Sequence, residues 1–216
     1  MDLNKAAELQ RKLSNNLVLH WRGGKVKLVA GADFSYDKEK RKIGACIIII
    51  KIPEFETVEI VEAVKKVRFP YISGYLAFRE APTFFEAFRK IRNVPDVTLI
   101  DGNGIAHPRK MGLASFVGVI LDICTIGCAK TPIFPFILPG ERRGEFTYFR
   151  NDKNEKVGIC LRTRAGVKPV FVSPGNRIDF MESVKLILGC SKFRIPEPLR
   201  KAHTLSGKIF LNLLSF

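Results

Sequence analysis

The chain has 216 residues, 46% hydrophobic and 26% charged, a globular balance that excludes the disordered class. At roughly 150 residues per domain this length suits a single domain, taken as residues 1–216. Lys and Arg number 36 against 21 Asp and Glu, a formal charge of +15 that points to a polyanionic partner rather than an acidic small molecule.

A basic balance alone does not separate nucleic acid from an anionic membrane surface. No apolar run approaches the ~20 residues of a bilayer span. Ala45–Ile50 is short, and Leu113–Leu121 is interrupted by Ser115 and Gly118. The N-terminal MDLNKAAELQRK has no apolar core of a secretion signal. The five cysteines are odd in number and form no Cys-x-x-Cys pair, which argues against a disulfide framework or zinc site. The expectation is a soluble cytoplasmic protein with reduced thiols and no membrane partner.

Taken in chain order, residues 2–15 carry Leu3, Ala6, Ala7, Leu9, Gln10 and Leu13 near helical spacing. Gly23 and Gly24 precede a first predicted strand, Val26–Phe34. A charged turn, Tyr36–Lys42, leads to a second, almost wholly apolar strand, Ile43–Ile52. The third, Thr57–Phe69, alternates through Val58, Ile60, Val64, Val67 and Phe69, completing an antiparallel meander. The period then changes. Ala81, Phe84, Phe85, Phe88 and Ile91 make one face of a predicted helix, Glu80–Arg92. Val97–Ile100 reads as a short buried strand, Met111–Leu121 as a helix rich in small residues, and Thr125–Cys128 as another strand.

Residues 131–155 are dense in Pro, Gly and charge and read as a long loop. Strands Gly158–Thr163 and Val167–Val172 follow, then helices near Arg177–Leu188 and Glu197–Gly207. A three-strand antiparallel meander followed by β-α-β units predicts an α/β three-layer sandwich with a mixed sheet. That order resembles the ribonuclease H-like architecture.

Acidic residues at the ends of apolar strands stand out in so basic a chain. Asp33 follows Val29–Ala32, and Asp101 follows Val97–Ile100 and precedes Gly102-Asn103-Gly104. If the two strands are neighbours, both carboxylates leave one sheet edge and can share a hard cation such as Mg²⁺. Glu80, four residues before Phe84 at a predicted helix start, shares that residue's inward face. Converging carboxylates repel unless a cation compensates them. The alternatives are a turn at Asp33, a helix-dipole partner in Glu80 and an anchor for a Gly-rich turn in Asp101.

Longer segments decide between these readings. VAGADFSYD (29–37), PYISGYLAFREAP (70–82), LIDGNGIAHPRKMGLASFVGVILDICTIGCAK (99–130), PGNRIDF (174–180) and IPEPLRKAH (195–203) resemble the endonuclease V family. The resemblance spans nearly the whole chain. It implies a ribonuclease H-like enzyme of DNA repair that uses Mg²⁺, with Mn²⁺ as a substitute. Such enzymes cut the second phosphodiester 3′ to deoxyinosine, leaving 3′-OH and 5′-phosphate ends. The expected partner is inosine-containing DNA, with inosine-containing RNA as the alternative substrate and a non-catalytic inosine-binding module as the alternative class. The expected state is a monomer.

By the same resemblance Asp33, Glu80 and Asp101 fall on the family's acidic, metal-binding positions. His203 falls on a fourth position that carries Asp or His, against the alternative of an ordinary helix-edge histidine. Lys130 would hold a phosphate oxygen or stabilise developing charge. His107 would contact backbone phosphate or, alternatively, order its loop. Tyr71 matches the tyrosine of a Pro-Tyr-Ile-Pro wedge that fills the space left by an everted base, and Ser73 replaces the second proline, loosening the loop. Gly102 and Gly104 would admit the base against backbone groups, with Leu76 as an apolar wall. Arg109 and Lys110 are candidates for phosphate contacts whose affinity falls with salt.

Overall fold

The structure, a computed structural model, describes residues 2–21 and 23–212. The expected 1–216 limits therefore include a few residues outside the described ones. One eight-stranded sheet has the order β3-β2-β1-β4-β5-β8-β7-β6. Its first part is the expected meander, β1 (Leu28–Asp37), β2 (Lys42–Lys51) and β3 (Glu56–Lys66), paired antiparallel. Next, β4 (Val97–Ile100) joins β1 in parallel and β5 (Thr125–Ala129) joins β4 in parallel. Strands β8 (Val170–Asn176), β7 (Lys156–Leu161) and β6 (Phe146–Arg150) complete it antiparallel.

Helices cover both faces. On one, α2 (Leu76–Phe88) and α3 (Leu113–Leu121) pack over Ala30, Ala32, Ile47 and Ile49; on the other, α4 (Phe180–Gly189) and α5 (Glu197–Ser206) cover Val29, Ile48, Ile50 and Leu99. This explains why β2 is apolar at successive positions: its two faces belong to two cores. The result is the expected three-layer, ribonuclease H-like α/β sandwich. Helix α1 (Leu3–Ser14) buries Ala6, Ala7 and Gln10, and Asp2 caps it by accepting from Asn4 N at 3.3 Å. The short α6 (Ile209–Asn212) closes the described chain.

Several expected boundaries move. β1 runs three residues past Phe34 because its antiparallel partner continues to the pair Asp37 with Lys42. α2 begins at Leu76, not Glu80, so Pro82 lies within the helix and Glu80 is no longer a residue of its first turn. That removes the helix-dipole explanation of Glu80. In the third strand the buried residues are Val61 and Ala63, whereas Val58 and Ile60 are exposed, because this edge is uncovered on the α5 side. The expected 131–155 loop contains β6, whose FTYFR sequence has strand-forming residues masked by the surrounding Pro, Gly and charge.

The approach of α5 to β1 depends on one glycine. A Cβ on Gly31 would lie 2.2 Å from the Pro198 carbonyl carbon and 2.3 Å from its oxygen. Both are backbone atoms, so the clash is not relieved by a rotamer change. Gly31→Ala should lower the stability by about 3 kcal/mol, read as a reduced urea midpoint; an unchanged midpoint would mean that α5 does not seat this closely.

Candidate active site

The register of β1 on β4 runs Val29 with Val97 through Ala32 with Ile100. The next residues are Asp33 and Asp101, which in a parallel pair lie side by side on one face. Asp101 N donates to Ala32 O at 3.1 Å, which keeps the two chains together at this point. β4 stops there while β1 continues, so both carboxylates emerge where the sheet loses its inner strand.

Helix α5 supplies the opposite wall. His203 Nδ1 lies 3.0 Å from Asp33 Oδ2, and Ser206 Oγ donates to the same oxygen at 2.6 Å. Ligand atoms of Asp33, Asp101 and His203 all fall within 4.8 Å of one another, close enough for one cation. Asp33 is buried and the His203 side chain is two-thirds exposed, so the group reaches from the interior to the surface. Lys130, one residue beyond β5, donates to Asp101 Oδ2 at 2.7 Å. The structure thus brings Asp33, Asp101, His203 and Lys130 together from four separate stretches of chain.

Glu80 arrives from the other face of the sheet. It is buried in α2, is not one of the three closely spaced ligands, and accepts a hydrogen bond from the Tyr36 hydroxyl. Burial, reinforced by repulsion from Asp33 and Asp101, pushes its carboxyl up to about 7, against the Tyr36 hydrogen bond and the Arg79 charge. Burial also raises Asp101, with Lys130 opposing and Asp33 adding to the shift. Crowded, partly desolvated carboxylates of this kind favour a cation.

A second cavity-forming element lies beside this cluster. A cavity of about 350 Å³ is lined by Tyr71, Leu76, Gly102, Asn103, Leu113 and Ile133, among others. Tyr71 is 72% exposed at its rim. Gly102 has φ +151°, so a side chain there would be strained. Gly104 does not line the cavity: its N–H donates to Ser173 Oγ at 2.8 Å, and a Cβ would lie 2.1 Å from Pro174 O. Its glycine is required by packing on β8, whatever lies in the cavity.

His107 and Arg109 are turned inward. The buried His107 accepts from Arg109 N at 3.1 Å through Nδ1, leaving Nε2–H to donate to Gly74 O at 3.0 Å. Burial holds its imidazole down to about 4, so the ring is neutral near pH 7. This is the geometry of the loop-ordering alternative. Arg109 donates to Gly74 O at 2.7 Å and to Gln10 Oε1 at 2.6 Å and lies over the Tyr75 ring. Gln10 donates to Gly74 O and Met111 O, both at 3.2 Å. Gly74, at φ +77°, is therefore held by three side chains immediately after Ile72-Ser73. Those bonds restrain the loop where Ser73 lacks the constraint of a proline. Lys110 instead pairs with Glu155 at 2.9 Å.

Three further participants have little or no signal in the sequence. Tyr36 lies where the sequence reads as a turn, and Ser206 has no individual signature. Gln10 did carry a signal, an uncharged polar residue in line with Ala6 and Ala7 on a buried helix face.

A mixed α/β sheet of this order with a carboxylate cluster at the end of its parallel strands defines a ribonuclease H-like phosphodiester hydrolase. The comparisons specify which one. Residues 8–204 match the Endonuclease V family. An endonuclease V of Kosmotoga olearia is 39% identical over 216 residues, spanning 99% of this chain and 95% of that one. The crystal structure of endonuclease V from Streptomyces avermitilis superposes with TM-score 0.93 at 36% identity, covering 98% of this chain and 94% of the other. That of Ciona intestinalis endonuclease V, in complex with a 24mer DNA containing an inosine followed by a ribo-adenosine, has TM-score 0.87 at 30% identity and 98% coverage of both chains. The chain belongs to the endonuclease V family, and it is an endonuclease.

The raised Glu80 carboxyl has a measurable consequence in metal-free protein. Its folded value, about 7, exceeds the ordinary 4.5, so the folded chain holds an extra proton between those limits. The stability this contributes is complete below the lower value and is lost as pH rises through the upper one. Melts in chelator should therefore decline between about pH 4.5 and 7, by at most about 3 kcal/mol from this group. Glu80→Gln should flatten that part of the profile, and an unaltered slope in the variant would contradict the assignment.

Proposed function

We propose that this protein is a Mg²⁺-dependent deoxyinosine endonuclease of DNA repair, with Mn²⁺ as a substitute, cutting the second phosphodiester 3′ to the lesion to leave 3′-OH and 5′-phosphate ends. The observation that carries the reading is the adjacency of Asp33 and Asp101 at the end of the β1–β4 pair. Two carboxylates and an imidazole suit Mg²⁺ or Mn²⁺, hard ions that take oxygen ligands, with Mn²⁺ the more tolerant of nitrogen. When bound, the ion would neutralise the cluster and the scissile phosphate and acidify the attacking water.

The chain's own groups do the rest. Asp33 and Asp101 are the ligands, and Glu80 completes the acidic shell from the opposite face. His203 and Ser206 hold the Asp33 carboxylate in one orientation through their bonds to Oδ2. The partly exposed Lys130 ammonium is placed to donate to a phosphate oxygen beside Asp101 and to stabilise charge developing there. Tyr71 would enter the stack while the lesion base occupies the neighbouring cavity, where Gly102 permits close approach to backbone and Leu76 gives an apolar wall. Hypoxanthine carries a carbonyl where adenine has an amine, so backbone donors at that edge would accept the first and leave the second unpaired. Arg109 and His107 support this cavity by fastening Gly74. Five free cysteines fit a reducing compartment, and the reading places the protein in the cytoplasm as a monomeric single domain.

Asp101→Ala should abolish Mg²⁺-dependent nicking of an inosine-containing duplex while the protein remains folded and able to bind it. Cleavage by that variant would reject the metal assignment. The ribo-adenosine in the Ciona intestinalis complex supports a second reading, cleavage of inosine-containing RNA. Matched DNA and RNA oligonucleotides differing only in sugar would separate the two: the DNA reading expects faster cleavage of the DNA, and faster cleavage of the RNA would replace it.

A further inference from the structure

Tyr71 borders two cavities, not one. Besides the cavity of about 350 Å³ already described, it lines a second space of about 370 Å³ with Tyr36, Lys38, Arg41, Arg68 and Arg79. The two differ in chemistry. The first is lined mainly by uncharged residues, and its His107 and Arg109 are bonded to Gly74. The second has four cations on its walls and one carboxylate, Asp37, which accepts from Lys40 N at 2.9 Å.

The basic groove is a built surface. Val67 N donates to Arg41 O at 2.8 Å, joining the β1–β2 turn to the segment that leads into Tyr71. Arg79 Nη1 reaches Phe69 O at 3.3 Å, and its guanidinium lies 4.7 Å from the centre of the Tyr36 ring. Arg79 Nε is buried with no hydrogen-bond partner among the described residues, a donor that a buried site normally satisfies. Lys38, Arg41 and Arg68 are exposed and form no ion pair among the described residues. Four cations gathered in a groove with a single carboxylate repel one another and attract an anion.

We propose that this groove binds a backbone phosphate of the nucleic acid on the side of Tyr71 away from the lesion cavity. Tyr71 is then a partition: a neutral slot for a base on one side and a cationic rest for the sugar-phosphate chain on the other. Holding the backbone there keeps the strands from closing again over the wedge, a restraint valuable in a loop that carries Ser73. The assignment rests on the nucleic-acid substrate argued under the proposed function.

The test is Arg41→Gln combined with Arg68→Gln in the full chain. Binding of an inosine-containing oligonucleotide, single-stranded and annealed to its complement, is followed by fluorescence anisotropy in chelator over a series of salt concentrations. Loss of two phosphate contacts should weaken binding roughly tenfold or more and reduce the slope of log K against log salt by between about 1 and 2 on duplex. Weakening with both substrates assigns the phosphate to the cleaved strand, and weakening with duplex alone assigns it to the complement; either supports the groove. Wild-type affinity and salt slope in the double variant with both substrates would overturn it. Wild-type protein that neither binds nor nicks the inosine substrate would instead refute the proposed function, so the two failures are distinguishable.

Discussion

Two like charges held side by side at the end of a pair of parallel strands are the constraint around which this molecule is arranged. The β1–β4 register leaves Asp33 and Asp101 no choice of face. Their mutual repulsion, and that with Glu80, is only partly answered by the protein. His203 and Ser206 bond one carboxylate, Lys130 the other, and Tyr36 the third. Burial, with a smaller contribution from this repulsion, raises the Glu80 and Asp101 carboxyls. A structure with no use for a cation would gain by replacing one of these acids with a neutral side chain.

The same arrangement depends on close packing far from any charge. α5 reaches Asp33 only because Gly31 lets the Pro198 backbone lie against β1. Because β1 outlasts β4, Tyr36 meets α2 and bonds Glu80 on the opposite face from α5. The site is therefore assembled from both faces of the sheet, and the two helical layers are each committed to it. Around Tyr71 the division of labour is electrical. Buried polar bonds fasten Gly74 beside one cavity, and Lys38, Arg41, Arg68 and Arg79 outnumber Asp37 along the other.

Much of the fold was legible because hydrophobic periodicity is local. The meander, the Val97–Ile100 strand and the uninterrupted apolar run of β2 follow from side-chain spacing. Elsewhere local signals fall short. The apolar face from Ala81 to Ile91 implies a helix from Glu80, yet α2 begins at Leu76 and accommodates Pro82 in its interior, since its packing on the sheet outweighs one lost backbone bond. FTYFR is strand-like, yet neighbouring Pro, Gly and charge conceal it until β7 supplies the partner. Gly104 and Gly102 look equivalent in DGNG, but one faces a cavity and the other the backbone of β8.

The identity of the acids, the glycines beside Asp101 and the excess of positive charge are properties of the linear chain, since each depends on residue type and short spacing alone. Which atoms meet was decided by the tertiary structure: Ser206 on Asp33, Tyr36 on Glu80, Gln10 and Arg109 on the Gly74 carbonyl. These contacts join segments distant in sequence, and their geometry follows from strand register and helix seating, which no local window of residues encodes.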